Sequence, residues 1–97
     1  MTQLPDAGPA TDFDMIYRYE VPVDDQVHEF KLTGAILQVA CRRRGVVEFW
    51  ALQNGGSANP VTRRLLVFGT GHPIPFGHAY VGTALDGPLV WHLMERV

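Results

Sequence analysis

A single cysteine, Cys41, is all the thiol chemistry this chain can offer, so it holds no internal disulfide and no multi-cysteine metal site. Such usage fits a reducing compartment. Serine is equally scarce. Ser57 is the only one, set in a Gly-Gly loop, and neither it nor Cys41 sits in a pattern of nucleophile, base and orienting group. Positive charge is not in surplus either: eight Lys and Arg against ten Asp and Glu leave a net charge of -2. A face for a polyanionic backbone needs clustered Lys and Arg, so nucleic-acid binding is disfavoured. No apolar run approaches the ~18 residues needed to cross a bilayer as a helix. The first residues also lack the basic-then-apolar order of a signal peptide, and the cytoplasm is the expected location. Finally, no segment carries a convincing 3.6-residue apolar stripe, which removes the amphipathic helix as a building block.

What remains is a β pattern. The apolar fraction of 46% and charged fraction of 19% belong to a folding globular chain, and 97 residues leave room for one core. A chain this short gains stability from association, so a homo-oligomer is expected. Residues 1–14 combine prolines, a glycine and aspartates without periodicity and read as a flexible tail. Residues 15–97 form a single domain of short apolar runs, broken every ten residues or so by turn residues. The expected strands are 15–23, 27–32, 35–42, 46–53, 62–68, 79–85 and 89–96. Tyr17, Tyr19, Val21 and Val23 share one face of the first, opposite Ile16, Arg18 and Glu20. Asp24-Asp25 turns it into the second as a hairpin. In the fourth, Val47, Phe49 and Ala51 oppose Val46, Glu48, Trp50 and Leu52. Residues 54–60 read as a flexible loop. The fold class is therefore all-β, a small antiparallel sandwich or barrel of about seven strands.

Few residues suggest chemistry. Arg42-Arg43-Arg44-Gly45 reads as a solvated turn, with a small anion- or partner-binding patch as its functional alternative. Cys41 alternates with Leu37 and Val39 and is expected in the core. The segment Phe68-Gly69-Thr70-Gly71-His72-Pro73 stands out. Two glycines and a hydroxyl directly after a strand can turn successive backbone N–H groups toward an anion. It matches neither a P-loop, having no Lys-Ser or Lys-Thr, nor the dinucleotide fingerprint, having no helix after it. His28, His72, His78 and His92 raise a metal reading, and His72 and His78 flank one loop. Their spacing fixes no tetrahedral set, so no metal and no cofactor is expected. His92 alternates with Val90 and Met94 as a half-buried strand residue. Asp24, Asp25 and His72 would be the acid-base groups of a hydrolase.

The aromatic set is larger than a core this size can hide. Either Trp50 or Trp91, and either Tyr17 or Phe76, is expected on an outer surface, favouring a partner or a second subunit.

Residues 17–25, the run Phe68-Gly69-Thr70-Gly71-His72-Pro73-Ile74, then Tyr80-Val81-Gly82-Thr83 and Leu89-Val90-Trp91-His92-Leu93 together resemble a family of small phage and bacterial proteins. That family is a domain of unknown function. The resemblance spans residues 15–95 and implies an accessory protein of phage or prophage origin acting inside the bacterial cell. It carries no catalytic residue to transfer.

The reading is thus a non-enzymatic binding module. Its partner is a bacterial host protein or a second copy, and its contact residues are Gly69, Thr70, Gly71, His72, Pro73, His78 and Arg43. The alternatives are a sponge for a small anionic nucleotide and a metal-dependent hydrolase using His72, His78 and an aspartate.

Overall fold

Alternation of apolar and polar residues makes each segment half-buried, and two such layers must cover one another. The computed structural model describes residues 13–54 and 59–97. It contains seven strands: β1 (Asp14–Pro22), β2 (His28–Leu32), β3 (Ile36–Arg43), β4 (Val46–Asn54), β5 (Val61–Gly69), β6 (His78–Asp86) and β7 (Leu89–Arg96). They form two antiparallel sheets, β1-β4-β3 and β2-β5-β7-β6, packed as a sandwich rather than a closed barrel. Residues 1–12 of the expected tail, and residues 55–58 of the expected loop with Ser57, lie outside the described residues. Asp14, expected in the tail, instead opens β1, opposite Asn54.

The core lies between the sheets. Val21, Val47, Phe49, Ala51 and Val39 come from the first sheet, and Leu32, Leu65, Val67, Ala84 and Leu93 from the second. Aromatic rings stitch the two together. Tyr19 stacks on Phe49 with centroids 4.9 Å apart, and Phe30 from the opposite sheet meets both edge-on, at 5.8 and 5.1 Å. Each such pair adds about 0.5–1.5 kcal/mol beyond its area.

The expected hairpin of the first two strands is not formed. β1 pairs with β4 and β2 with β5, so Asp24-Asp25 carries the chain from one sheet to the other. Asp25 takes φ 60° there, and Asp24 accepts hydrogen bonds from the Gln26 N–H and His28 Nε2. The basic run is also only half a turn. Arg42 and Arg43 extend β3, and Arg44-Gly45 makes the connection. Cys41 is half-buried at the margin of the core, and Leu37 is exposed. A β-bulge between Ile36 and Gln38 puts Leu37 out of phase with Val39, whereas Cys41 stays on the Val39 side, packed against the core, beside a further irregularity between Ala40 and Arg43.

A bulge in β6 lies between Tyr80 and Gly82. It moves Thr83 and Leu85 onto the same outward face as Tyr80, and it turns Gly82 and Ala84 inward. Gly82 then approaches β3 so closely that a Cβ there would lie 2.4 Å from Val39 Cγ2. The edges of the two sheets meet at these paired irregularities, around a small cavity of ≈ 170 Å³.

The outer face of the first sheet is charged. Glu48 is almost fully buried there, where Arg42 donates to both its oxygens at 2.8 and 3.0 Å and Arg18 adds a third bond at 2.7 Å. The Arg42 guanidinium, then Arg18, holds the Glu48 carboxyl at a pKa of about 2 against its burial. Arg42 also lies over the Trp50 ring at 5.4 Å.

Candidate functional site

The β5–β6 connection begins where Gly69 ends β5. The His72 N–H donates to the Gly69 carbonyl at 3.1 Å, closing a tight turn. The turn brings the His72 imidazole close to Gly69. A Cβ at that position would stand 3.0 Å from the ring and 3.3 Å from Trp91 Cζ3, so a side chain there would have to push these neighbours back by a few tenths of an ångström. The Gly69 bond occupies the His72 N–H, so that group is not free to join an anion cradle.

An open cleft of ≈ 420 Å³ results, with Gly69, Thr70 and His72 on one side and residues 88–91 on the other. Its floor is fixed from below: Trp91 Nε1 donates to Asp86 Oδ2 at 2.9 Å. The Gly45 N–H donates to the same oxygen at 3.2 Å. These donors, Trp91 first, lower the Asp86 carboxyl below the usual carboxylate range.

A polar chain runs beside the cleft across β6 and β7. Thr70 Oγ1 is 2.8 Å from His92 Nε2, His92 Nδ1 is 3.0 Å from Thr83 Oγ1, and Thr83 Oγ1 is 2.7 Å from the Tyr80 hydroxyl. His92 can donate through only one nitrogen when neutral, so the hydroxyls must orient in one direction along the chain. The chemistry available is limited. A hydroxyl and an imidazole are in contact, but the far nitrogen meets Thr83 rather than a carboxylate that would raise its basicity.

Over β6 and β7 the rest of this outer face is mostly apolar, while toward β2 it carries the Arg64–Glu29 ion pair, with Lys31 and Arg96 in the same register. The register places Phe68, His92 and Thr83 in one row, Leu66, Met94 and Tyr80 in the next, and Val90 beside Leu85. Leu66 and Met94 are buried although they lie outside the main core cluster. Tyr80, Leu85 and Leu89 are exposed, and in the loop Ile74 is exposed and Phe76 wholly so, at 105%. Between Pro75 and Gly77, the Phe76 ring is shielded by none of the described residues.

The expected site residues divide into three groups. Gly69, Thr70 and His72 line the cleft. Gly71 and Pro73 sit on the exposed crest. His78 anchors the base of the loop: its Nδ1 donates to the Pro75 carbonyl at 2.8 Å and its ring meets Phe68 edge-on at 5.5 Å. Its Nε2 is buried with no partner among the described residues. Arg43 belongs elsewhere, on β3 of the other sheet, bonded to Glu20 at 2.6 Å. His72 and His78 do not converge, Asp24 bonds His28 instead, and no group of three or more His, Cys, Asp or Glu among the described residues is placed to hold a metal. Sequence reasoning missed Thr83 and Tyr80 as site residues, because the bulge that aligns them is signalled only by Gly82.

The fold and this face define a small two-sheet antiparallel sandwich domain whose second sheet is apolar on its outer surface over β6 and β7 and charged toward β2. Residues 14–97 match the family described as a domain of unknown function, DUF7352, and the chain belongs to it. No curated protein and no solved structure matches the chain. Among the described residues no helix is long and apolar enough to cross a membrane.

Proposed function

We propose that the chain is a non-enzymatic binding module, an accessory protein of the phage and prophage type that engages a protein of the bacterial host in the cytoplasm. One observation carries this reading. Exposed Phe76, Tyr80, Leu85, Leu89 and Ile74 gather on and beside one outer sheet face, around residues 69–78. Monomeric proteins rarely leave so many large apolar side chains together unless a partner covers them. Aromatic side chains are also the residues that dominate binding energy at protein contacts. The polar chain from Thr70 to Tyr80 supplies directional hydrogen bonds within this apolar surround, as specific interfaces do.

The test is capture from host lysate with the full chain as bait, next to Phe76→Ser and Tyr80→Ser. The reading predicts one dominant host protein with the wild type and its loss with either variant. Capture that is unchanged in both variants contradicts it.

The cleft favours a second reading, a sponge for a small anionic nucleotide. Its volume suits a nucleoside, and Thr70 and His72 offer hydrogen-bond donors at its wall. Calorimetry against cyclic and linear nucleotides would then show heat that falls in Thr70→Ala and His72→Ala. Absence of heat with every nucleotide removes it.

A further inference from the structure

Four strand edges terminate the two sheets, and three carry the features that stop one sheet edge from pairing with another. β3 and β6 are bulged where they face each other. β2 has five residues and presents Glu29 and Lys31. β1 has nine residues, no bulge and no described strand beyond it.

The hydrogen-bonding phase of β1 can be assigned. The Val23 N–H donates to the Gly45 carbonyl at 3.0 Å, in line with the β1–β4 register. Bonded pairs alternate along an antiparallel ladder. Odd-numbered residues of β1 therefore bond β4, and Asp14, Ile16, Arg18 and Glu20 direct their N–H and C=O groups away from the sheet. Pro22 falls in the same set, so its missing N–H costs the β1–β4 ladder nothing. Phe13, Met15, Ile16 and Tyr17 are all exposed along this edge.

We propose that β1 pairs edge to edge with β1 of a second copy, antiparallel, with Ile16 opposite Ile16 of that copy. The two three-stranded sheets become one of six strands. The phase restricts pairing to registers that oppose even residues with even ones, and charge selects among them. With Ile16 on the two-fold axis, each Asp14 faces Arg18 of the second copy and each Met15 faces Tyr17. Displacing the register so that Ile16 faces Arg18 sets Asp14 against Glu20, two like charges. A further displacement sets Arg18 against Arg18. Arg18 uses Nη1 for both Glu20 and Glu48, and its other N–H groups have no partner among the described residues. This contact uses a different sheet from the proposed host-protein face, so either can fail alone.

Sedimentation equilibrium of the full chain across a wide concentration range tests the pairing. The wild type is expected to be a reversible dimer, and Ile16→Pro, which removes an outward N–H but no bond to β4, raises its dissociation constant by at least about tenfold. Should circular dichroism show that Ile16→Pro unfolds, the double variant Asp14→Lys with Ile16→Lys gives the same readout from exposed side chains. In a Cys41→Ala background, Ile16→Cys forms a disulfide-linked dimer on oxidation and Asp14→Cys does not. A wild type that stays monomeric throughout overturns the proposal. So does a dimer that is indifferent to these changes, or one that cross-links at position 14 rather than 16.

Discussion

Glu48 shows how much a single residue can depend on neighbours that are far away in sequence. Alternation places it on the outer face of β4, and it is there; what alternation cannot reveal is that Arg18 and Arg42 fold over it until only 2% remains exposed. Long side chains with apolar stems act as a lid, and that lid depends on the register of three strands. Removing the charge while keeping the shape, in Glu48→Gln, weakens three charge-assisted bonds and should lower stability by about 1–3 kcal/mol in urea unfolding. The pH dependence has a definite sign. A carboxyl whose pKa falls from 4.5 to about 2 on folding contributes stability that is fully present above pH 4.5 and lost as the pH falls toward 2. Acid melting curves of Glu48→Gln should therefore be flatter than those of the wild type over that window. Gly82 makes a second residue-scale prediction. Gly82→Ala places a methyl 2.4 Å from Val39 Cγ2 and should cost about 1–3 kcal/mol by overpacking.

At the scale of the elements, the strands were legible and their partners were not. Each strand is announced by its own alternation and turn residues, which is local information. Asp24-Asp25 is a turn signal in a hairpin and in a link between sheets alike, so only the packing of Phe30 against Tyr19 and Phe49 decides that β2 lies in the other layer. The candidate site divides the same way. Gly69, Thr70 and His72 were visible as a glycine-rich strand exit, whereas their partners Thr83 and Tyr80 depend on a bulge that shifts the phase of β6 by one residue. Arg43 was drawn in by its place in a basic run, although β3 carries it to the opposite sheet. The polar chain across β6 and β7 yields its own prediction. Thr83→Val removes the partner of His92 Nδ1, so nitrogen NMR should show a changed His92 tautomer balance while the melting temperature moves only slightly.

At the scale of the whole molecule, the outer surface of the first sheet is charged, and that of the second is charged toward β2 and apolar over β6 and β7. One sheet faces outward with Arg18, Arg42 and Trp50 over the buried Glu48, the other with the Arg64–Glu29 pair at one end and Tyr80, Leu85 and Val90 at the other, beside the loop that holds up Phe76. Phe76, Tyr80 and Leu85 lie outside the core cluster. Phe76→Ser should leave thermal stability within about 0.5 kcal/mol of wild type, because the ring is wholly exposed and packs against none of the described residues. The most direct measurement places a photo-crosslinking phenylalanine analogue at position 76, at position 80 and, on the opposite face, at position 50 in the full chain expressed in the bacterial host. The account predicts one discrete host-protein adduct from positions 76 and 80 and none from position 50. An adduct confined to position 50, or none from position 76, would contradict it.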